Sequence, residues 1–297
     1  MNNSTPKHGY MAAVGTFDGV HLGHAFVVEQ LKHLAAARGL KTKIITFEKH
    51  PLSVVAPDRC PATLTPTNRR TELMTDLGVD QVVVLPFDRT MAAMTAAEFL
   101  AMLHNSENVV ALAMGFNNHI GSDRRAAASL APATSGVEIV PLEELDNRSG
   151  VSSSAIRNAL IHGKVEVAAA LLGRPFEITG TVVHGKQLGR RIGFPTANIN
   201  LIQPDLIVPA DGAYAVDVRL ADGTTHRAMA NIGHRPTVDT PDSPLSIEIH
   251  IIDFSGNLYG TAINVSFLKR LRPEQRFNSI ESLKAQLEID RQHAILA

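Results

Sequence analysis

The stretch Gly15-Thr16-Phe17-Asp18-Gly19-Val20-His21-Leu22-Gly23-His24 constrains this chain more than any other. It follows the apolar run Met11–Val14 and opens a helical pattern that ends near Arg38-Gly39. A strand, a glycine turn and a helix in that order belong to a layered α/β fold. Three-residue spacing puts the imidazoles of His21 and His24 on one face of the helix. The same first turn offers unpaired backbone N–H groups and the positive end of the helix dipole, which together suit a phosphate. Glycines at 15, 19 and 23 let backbone approach a ligand closely. A single histidine at a helix start is usually solvated or a cap. The pair, framed by glycines after a strand, reads as a nucleoside triphosphate site.

At 297 residues the chain is long enough for two domains, each with its own core. A hydrophobic content of 44% and a charged content of 19% are those of an ordinary globular protein. The formal net charge of −1 supplies no global basic field for nucleic acid. Arg69-Arg70 and Arg190-Arg191 are too short to track a polyanion, although either can hold one phosphate. Cys60 is the only cysteine, which excludes an intrachain disulfide and disfavours a thiolate metal cluster. Met1–Tyr10 is polar and lacks an apolar signal core, and no run has the length of a membrane span. The expectation is a cytoplasmic protein that meets neither nucleic acid nor membrane. Oligomeric state is not legible.

Along the first half, strand-like and helix-like segments alternate. Ala25–Arg38, Thr67–Leu77 and Ala96–Leu103 have helical patterns; Lys43–Phe47, Gln81–Leu85, Val109–Met114 and Val137–Val140 read as short buried strands. Alternation of this kind predicts βαβ units in a mostly parallel sheet, with ligands beyond the carboxyl ends of the strands. Ser154–Leu160 and Val165–Leu172 read as two short helices around Gly163. From Phe176 to Phe267 β-rich runs take over, separated by turn signals such as Ala221-Asp222-Gly223 and Ser255-Gly256-Asn257. That spacing favours a small antiparallel barrel. A last helix is expected with Asn278 as its cap, Glu281 completing a capping box, and Ile280, Leu283 and Leu287 facing inward. The boundary falls near Gly173, giving domains of residues 1–172 and 173–297.

Two further strings carry chemistry. Val151-Ser152-Ser153-Ser154-Ala155-Ile156-Arg157 puts hydroxyls at a helix start, with Arg157 placed to clamp a triphosphate. A plain serine cap beside a solvated arginine explains that string equally well by itself. Gly180-Thr181-Val182-Val183-His184-Gly185-Lys186-Gln187-Leu188-Gly189-Arg190-Arg191-Ile192-Gly193-Phe194-Pro195-Thr196-Ala197-Asn198 is a glycine-rich connection after a β-rich start. Such a loop can cradle phosphates through its N–H groups, though it is not a Walker A loop. Downstream, Ser246–Ile251 alternates so that Glu248 and His250 point away from Ile247, Ile249 and Ile251.

Taken together these strings resemble the bacterial bifunctional riboflavin kinase/FMN adenylyltransferase (FAD synthetase) family. The His21–His24 stretch is similar to the HxGH signature of nucleotidyltransferases, and Ser152–Arg157 to their Ser-Ser-Thr/Ser-x-Ile-Arg motif. The string ending in Gly-Phe-Pro-Thr-Ala-Asn is similar to the riboflavin kinase signature, and the resemblance runs nearly the whole chain. It implies a Rossmann-like nucleotidyltransferase domain with a parallel sheet, then an antiparallel β-barrel kinase with a terminal helix. It also implies ATP and Mg²⁺ as requirements, and riboflavin, FMN and FAD as substrates and products. Glu248, His21, His24 and Arg157 are the implied catalytic residues. Phosphate binding is carried over to Gly15, Phe17, Asp18, Gly19, Asn117, Ser152, Ser153, Ser154, Gly185, Gly189, Arg190, Thr196 and Asn198, with Thr196 and Asn198 also on the metal. One segment departs from the pattern: in Gly115-Phe116-Asn117-Asn118-His119-Ile120-Gly121, Asn118 and Ile120 stand where relatives carry aromatics. Two readings stay open at this point, a bifunctional enzyme or a riboflavin kinase whose first half adenylylates weakly or not at all.

Overall fold

The computed structural model describes residues 9–115, 119–126, 136–143, 150–185, 188–234 and 245–297. The chain divides into two compact units, Met1–Val151 and Ser152–Ala297.

In the first unit the strands are β1 (Tyr10–Val14), β2 (Lys41–Phe47), β3 (Gln81–Leu85), β4 (Val109–Gly115), β5 (His119–Ile120), β6 (Arg125–Ala126) and β7 (Glu138–Leu142). Five of them form one parallel sheet in the order β3-β2-β1-β4-β7, while β5 and β6 pair as a small antiparallel ribbon. Helices α1 (Leu22–Ala36), α2 (Leu52–Val55), α3 (Thr67–Asp76), α4 (Arg89–Ala93) and α5 (Ala96–Glu107) lie between them. Alternation along β1 explains the layering. Met11 and Ala13 enter one core with Leu31 of α1 and Met74 of α3, whereas Ala12 enters another with Leu100 and Leu103 of α5. Both faces are thus covered, as a parallel sheet requires. Strand order reverses at β1, since β2 and β3 lie to one side and β4 and β7 to the other. The crevice beyond the carboxyl ends of β1 and β4 is therefore the place where such a sheet binds ligands.

The second unit begins with α6 (Ser153–Ile161) and α7 (Val165–Leu172). Strands β8 (Phe176–Val183), β9 (Ala197–Leu201), β10 (Gly212–Arg219), β11 (Thr225–His234), β12 (Leu245–Ile251) and β13 (Ala262–Arg272) follow, with α8 (Leu188–Arg191) between β8 and β9. They close an antiparallel barrel in the order β10-β11-β12-β9-β8-β13. Along β8 alternate residues Phe176, Ile178 and Val182 are buried, the pattern of a barrel wall. The β10–β11 turn is the Ala221-Asp222-Gly223 hairpin, where the Asp222 carboxylate accepts from Thr224 N and Oγ1 at 2.9 and 2.7 Å.

α9 (Ile280–Ile295) closes the chain and starts one residue away from the expected cap. Ser279, not Asn278, is the cap, and Ser282, not Glu281, completes the box; Ser279 Oγ accepts from Ser282 N at 3.1 Å. The inward face differs as well. Ile280 is exposed, Leu283 and Leu287 are half-buried, and the deep positions are Asp290 and Ala294. Periodicity misses Asp290 because its burial depends on Arg272 of β13, whose Nη2 sits 2.9 Å from its carboxylate.

Candidate active sites

The turn after β1 is held in an uncommon backbone conformation. Phe17, Gly19 and Val20 have φ of 48°, 91° and 40°. A left-handed conformation costs an ordinary residue about 1–2 kcal/mol, and β-branched valine rarely adopts it. Phe17 and Val20 are 5% and 6% exposed within the β1–α1 core. Burying a valine side chain returns about 1.5–3 kcal/mol, which offsets that strain.

The strained turn delivers His21 as the N-cap of α1. Its ring stacks on His24 with centroids 3.7 Å apart and 16° between planes, and Phe17 meets His24 edge-on at 5.2 Å. His21 N donates to His24 Nδ1 at 3.4 Å, which places the proton of a neutral His24 on Nε2, a donor suited to a phosphate oxygen. Gly23 makes the stack possible: a Cβ there would press on His21 Cε1 and Nδ1 at 3.1 Å.

Asp18, 3% exposed, pins the turn from behind. Its carboxylate accepts from Leu64 N and Thr65 N at 3.0 Å. Further along, Arg70 of α3 is 5% exposed and donates to Phe47 O, at the end of β2, and to Thr67 Oγ1 at 3.1 Å. Burial pulls the Arg70 guanidinium below its ordinary range, and the charge of Asp18 opposes that shift. In the sequence Arg70 is only half of a short basic pair, and nothing in that polar helix signals its burial.

Ser152 caps α6, its hydroxyl accepting from Ala155 N at 3.1 Å. Ser152 and Ser154 are exposed, Ser153 and Arg157 half-buried, and Ile156 between them is fully buried. These residues belong to the second compact unit and the histidine turn to the first. Asn117 lies outside the described residues, as do Phe116 and Asn118.

In the barrel a second constellation forms through strand register. Glu248 on β12 is paired with Asn198 on β9 and with Asn231 on β11. Thr196 Oγ1 donates to Glu248 Oε2 at 3.3 Å, and Asn198 is 6% exposed. The glycine-rich connection packs directly on this group. A Cβ at Gly185 would overlap the Asn198 amide at 2.1 Å, and one at Gly189 would overlap the Phe194 carbonyl at 2.2 Å. Arg190 is in α8, and its side chain is outside the described residues. Threonine, asparagine and glutamate oxygens under a glycine loop are the hard donors that a magnesium ion takes, so the residues fit that metal.

Beside Thr196 a cavity of about 590 Å³ is lined by Pro195, Ile249, Ile251, Phe254 and Tyr259. His184 stacks on Tyr259 at 3.8 Å, and the Ser255-Gly256-Asn257 turn forms part of the cavity wall. From sequence Ser255-Gly256-Asn257 is a turn signal, and the flanking Asp253-Phe254 and Leu258-Tyr259-Gly260 are similar to riboflavin kinase segments. His250, placed by alternation beside Glu248, is 9% exposed; its Nδ1 meets Pro195 O at 2.8 Å and its ring meets Phe194 edge-on.

Comparison with known proteins separates the same two regions. The FAD synthetase family profile matches residues 3–155 and the riboflavin kinase profile residues 172–296. A bifunctional riboflavin kinase/FMN adenylyltransferase of Bacillus subtilis is 38% identical over 291 residues, covering 95% of this chain and 90% of its own. The chain belongs to the bifunctional riboflavin kinase/FMN adenylyltransferase family. It is therefore an enzyme, a kinase and a nucleotidyltransferase in one polypeptide. A second member of the family, from Escherichia coli, is 38% identical over 293 residues, with 97% of this chain and 92% of that one covered. A crystal structure from Streptococcus pneumoniae, described as a macrolide-efflux protein, superposes with a TM-score of 0.85 at 33% identity, covering 97% and 94% of the two chains. Among the described residues no helix is long and apolar enough to cross a membrane. Within the family's two matches, His21 and His24 fall in the FAD synthetase part and Thr196, Asn198 and Glu248 in the riboflavin kinase part.

Proposed function

We propose that this chain phosphorylates riboflavin to FMN and adenylylates FMN to FAD, each with its own ATP and Mg²⁺, at separate sites. The two functional modules are residues 1–172 and 173–297. The observation that carries the kinase half is the 3.3 Å contact of Thr196 with Glu248, opposite Asn198 and under the glycine loop.

In the kinase, Glu248 orients the riboflavin 5′-hydroxyl and takes its proton as the oxygen attacks the γ-phosphorus; the bond to the β-phosphate oxygen breaks and ADP leaves. Thr196 and Asn198 hold the metal, with Gly185, Gly189 and Arg190 along the phosphates. A bound Mg²⁺ neutralises charge on the transferring phosphoryl group. In the transferase, an FMN phosphate oxygen attacks the α-phosphorus of ATP and pyrophosphate leaves. His21 and His24 donate to that developing pyrophosphate, and Arg157 neutralises charge on the triphosphate. Gly15, Phe17, Asp18 and Gly19 shape the turn, while Asn117 and Ser152–Ser154 complete the phosphate contacts. The N–H groups at the start of α1 favour the same anion.

A pair of variants tests the separation. Glu248→Gln should cut riboflavin phosphorylation by about a thousandfold and leave FAD formation from FMN unchanged. His24→Ala should do the reverse, by about a hundredfold. Chromatography of each half-reaction reads both. Either substitution stopping both reactions in a folded protein refutes separate sites, and no FAD from the unaltered enzyme with FMN, ATP and Mg²⁺ leaves a kinase alone.

A further inference from the structure

α6 carries the serine and arginine side chains given above a role in adenylyl transfer, yet it belongs to the same compact unit as the barrel. Most of its length lies between the two family matches, which end at 155 and resume at 172. The last carbonyls of any helix lack intrahelical partners. At the end of α6, barrel groups take part in satisfying them. Ala210 N donates to Leu160 O at 3.0 Å, and Arg270 Nη1, on β13, donates to His162 O at 3.4 Å. Through Nη2 the same guanidinium donates to Asp211 O, and it lies 6.0 Å over the Tyr214 ring. Tyr214, fully buried, donates its hydroxyl to Ala210 O. A cation at this end also complements the helix dipole. Glycine supplies the room on both sides. Gly163 is left-handed, with φ of +69°, and a Cβ there would lie 2.7 Å from Arg270 Nη1. One at Gly212 would lie 3.0 Å from Arg270 Nε.

We propose that Arg270, a residue of the kinase barrel, is a positioning residue for adenylyl transfer: it fixes the C-terminal end of α6 and thereby the orientation of Ser152–Arg157. This role rests on the one proposed above for Arg157. It works by leverage. A helix of 9 residues is about 14 Å long, so a tilt of about 5° at one end moves the other by about 1 Å. Misplacement of that size at a reacting centre costs up to about a hundredfold in rate. Buried Ile156, Ala159 and Leu160 restrain the same helix, so the loss expected is nearer tenfold.

Arg270→Met and Gly163→Ala attack the contact from opposite sides. Each should lower kcat for FAD formation from FMN about tenfold while KM for FMN and both constants of riboflavin phosphorylation stay within about twofold. Arg270→Lys, which keeps a cation at the helix end, should restore part of the rate, an outcome that loss of packing alone does not give. Full FAD synthesis in both disruptive variants, or an equal fall in both activities, overturns the proposal. Arg157→Ala separates the two roles. If it leaves FAD synthesis intact, the role of α6 itself is wrong; if it abolishes FAD synthesis while the Arg270 and Gly163 variants are normal, only the leverage fails.

Discussion

The histidine turn brings Phe17, His21 and His24 together from one short stretch, whereas Thr196 and Glu248 are 52 residues apart and meet through strand pairing. The first site depends on a local backbone held in left-handed conformations by the burial of Phe17 and Val20. The second depends on barrel closure, which sets Asn198 across from Glu248 without any unusual dihedral at either residue. A local site is vulnerable to whatever loosens one turn. A register-built site tolerates local loosening but not an atom added between its strands and the loop that covers them.

The sharpest way to break that contrast is Gly185→Ala. The added Cβ would overlap the side-chain amide of Asn198 at 2.1 Å, so either that buried amide turns out of its place or the loop lifts off it. Riboflavin phosphorylation should fall about a hundredfold, mainly through ATP and metal binding, with FAD formation from FMN retained. A normal kinase in this variant means that the loop moves freely over the strands and that register is not what builds the site.

A smaller effect is expected from Asp18→Ala. Leu64 N and Thr65 N then lose a charged acceptor in a site where water is excluded, a loss of about 1.5–3 kcal/mol. Buried Arg70 also loses the nearby charge that opposes its desolvation. Urea denaturation should show the lower stability, and FAD formation should slow about tenfold as the turn relaxes. Unchanged stability would show that burial of Phe17 and Val20 holds the turn unaided.

The same contrast decides what could be read from sequence. The histidine turn was legible because all of its parts are adjacent: glycines, imidazoles and the strand before them form one string. Gln81–Leu85 and Val165–Leu172 were read at their observed bounds, since each is an apolar run ended by turn or glycine signals. Strand order was not legible, because nothing local states that β1 lies between β2 and β4. Nor was β11 found, whose central positions pair with two neighbours and follow no clean alternation. The burial of Asp290 and Arg70 escaped for a related reason: each polar group is buried beside partners far along the chain. Glu248 and His250 show the limit of periodicity. Alternation gave their shared face, but only barrel closure shows that His250 is buried against Phe194 while Glu248 meets Thr196.

The smallest effect separates a barrel interior closed to water from the ligand-facing cavity. Burial pushes the Tyr214 phenol up to about 12, with Asp211 and Glu166 adding to the rise and Arg270 opposing it. A folded-state value above the unfolded one, near 10, means that stability is intact below about pH 10 and falls as the pH climbs through about 12. Subtracting the ultraviolet titration of Tyr214→Phe from that of the unaltered protein isolates this one group among the 3 tyrosines of the chain. A difference step with its midpoint near 12 is the expected result, and one near 10 would mean that water reaches the barrel interior. Because the hydroxyl also donates to Ala210 O, Tyr214→Phe should lower stability at neutral pH by about 1 kcal/mol as well. The Asp18 and Tyr214 variants then compare like with like: one removes a carboxylate that ties a local turn, the other a hydroxyl inside a closed barrel, and the larger loss belongs to the turn.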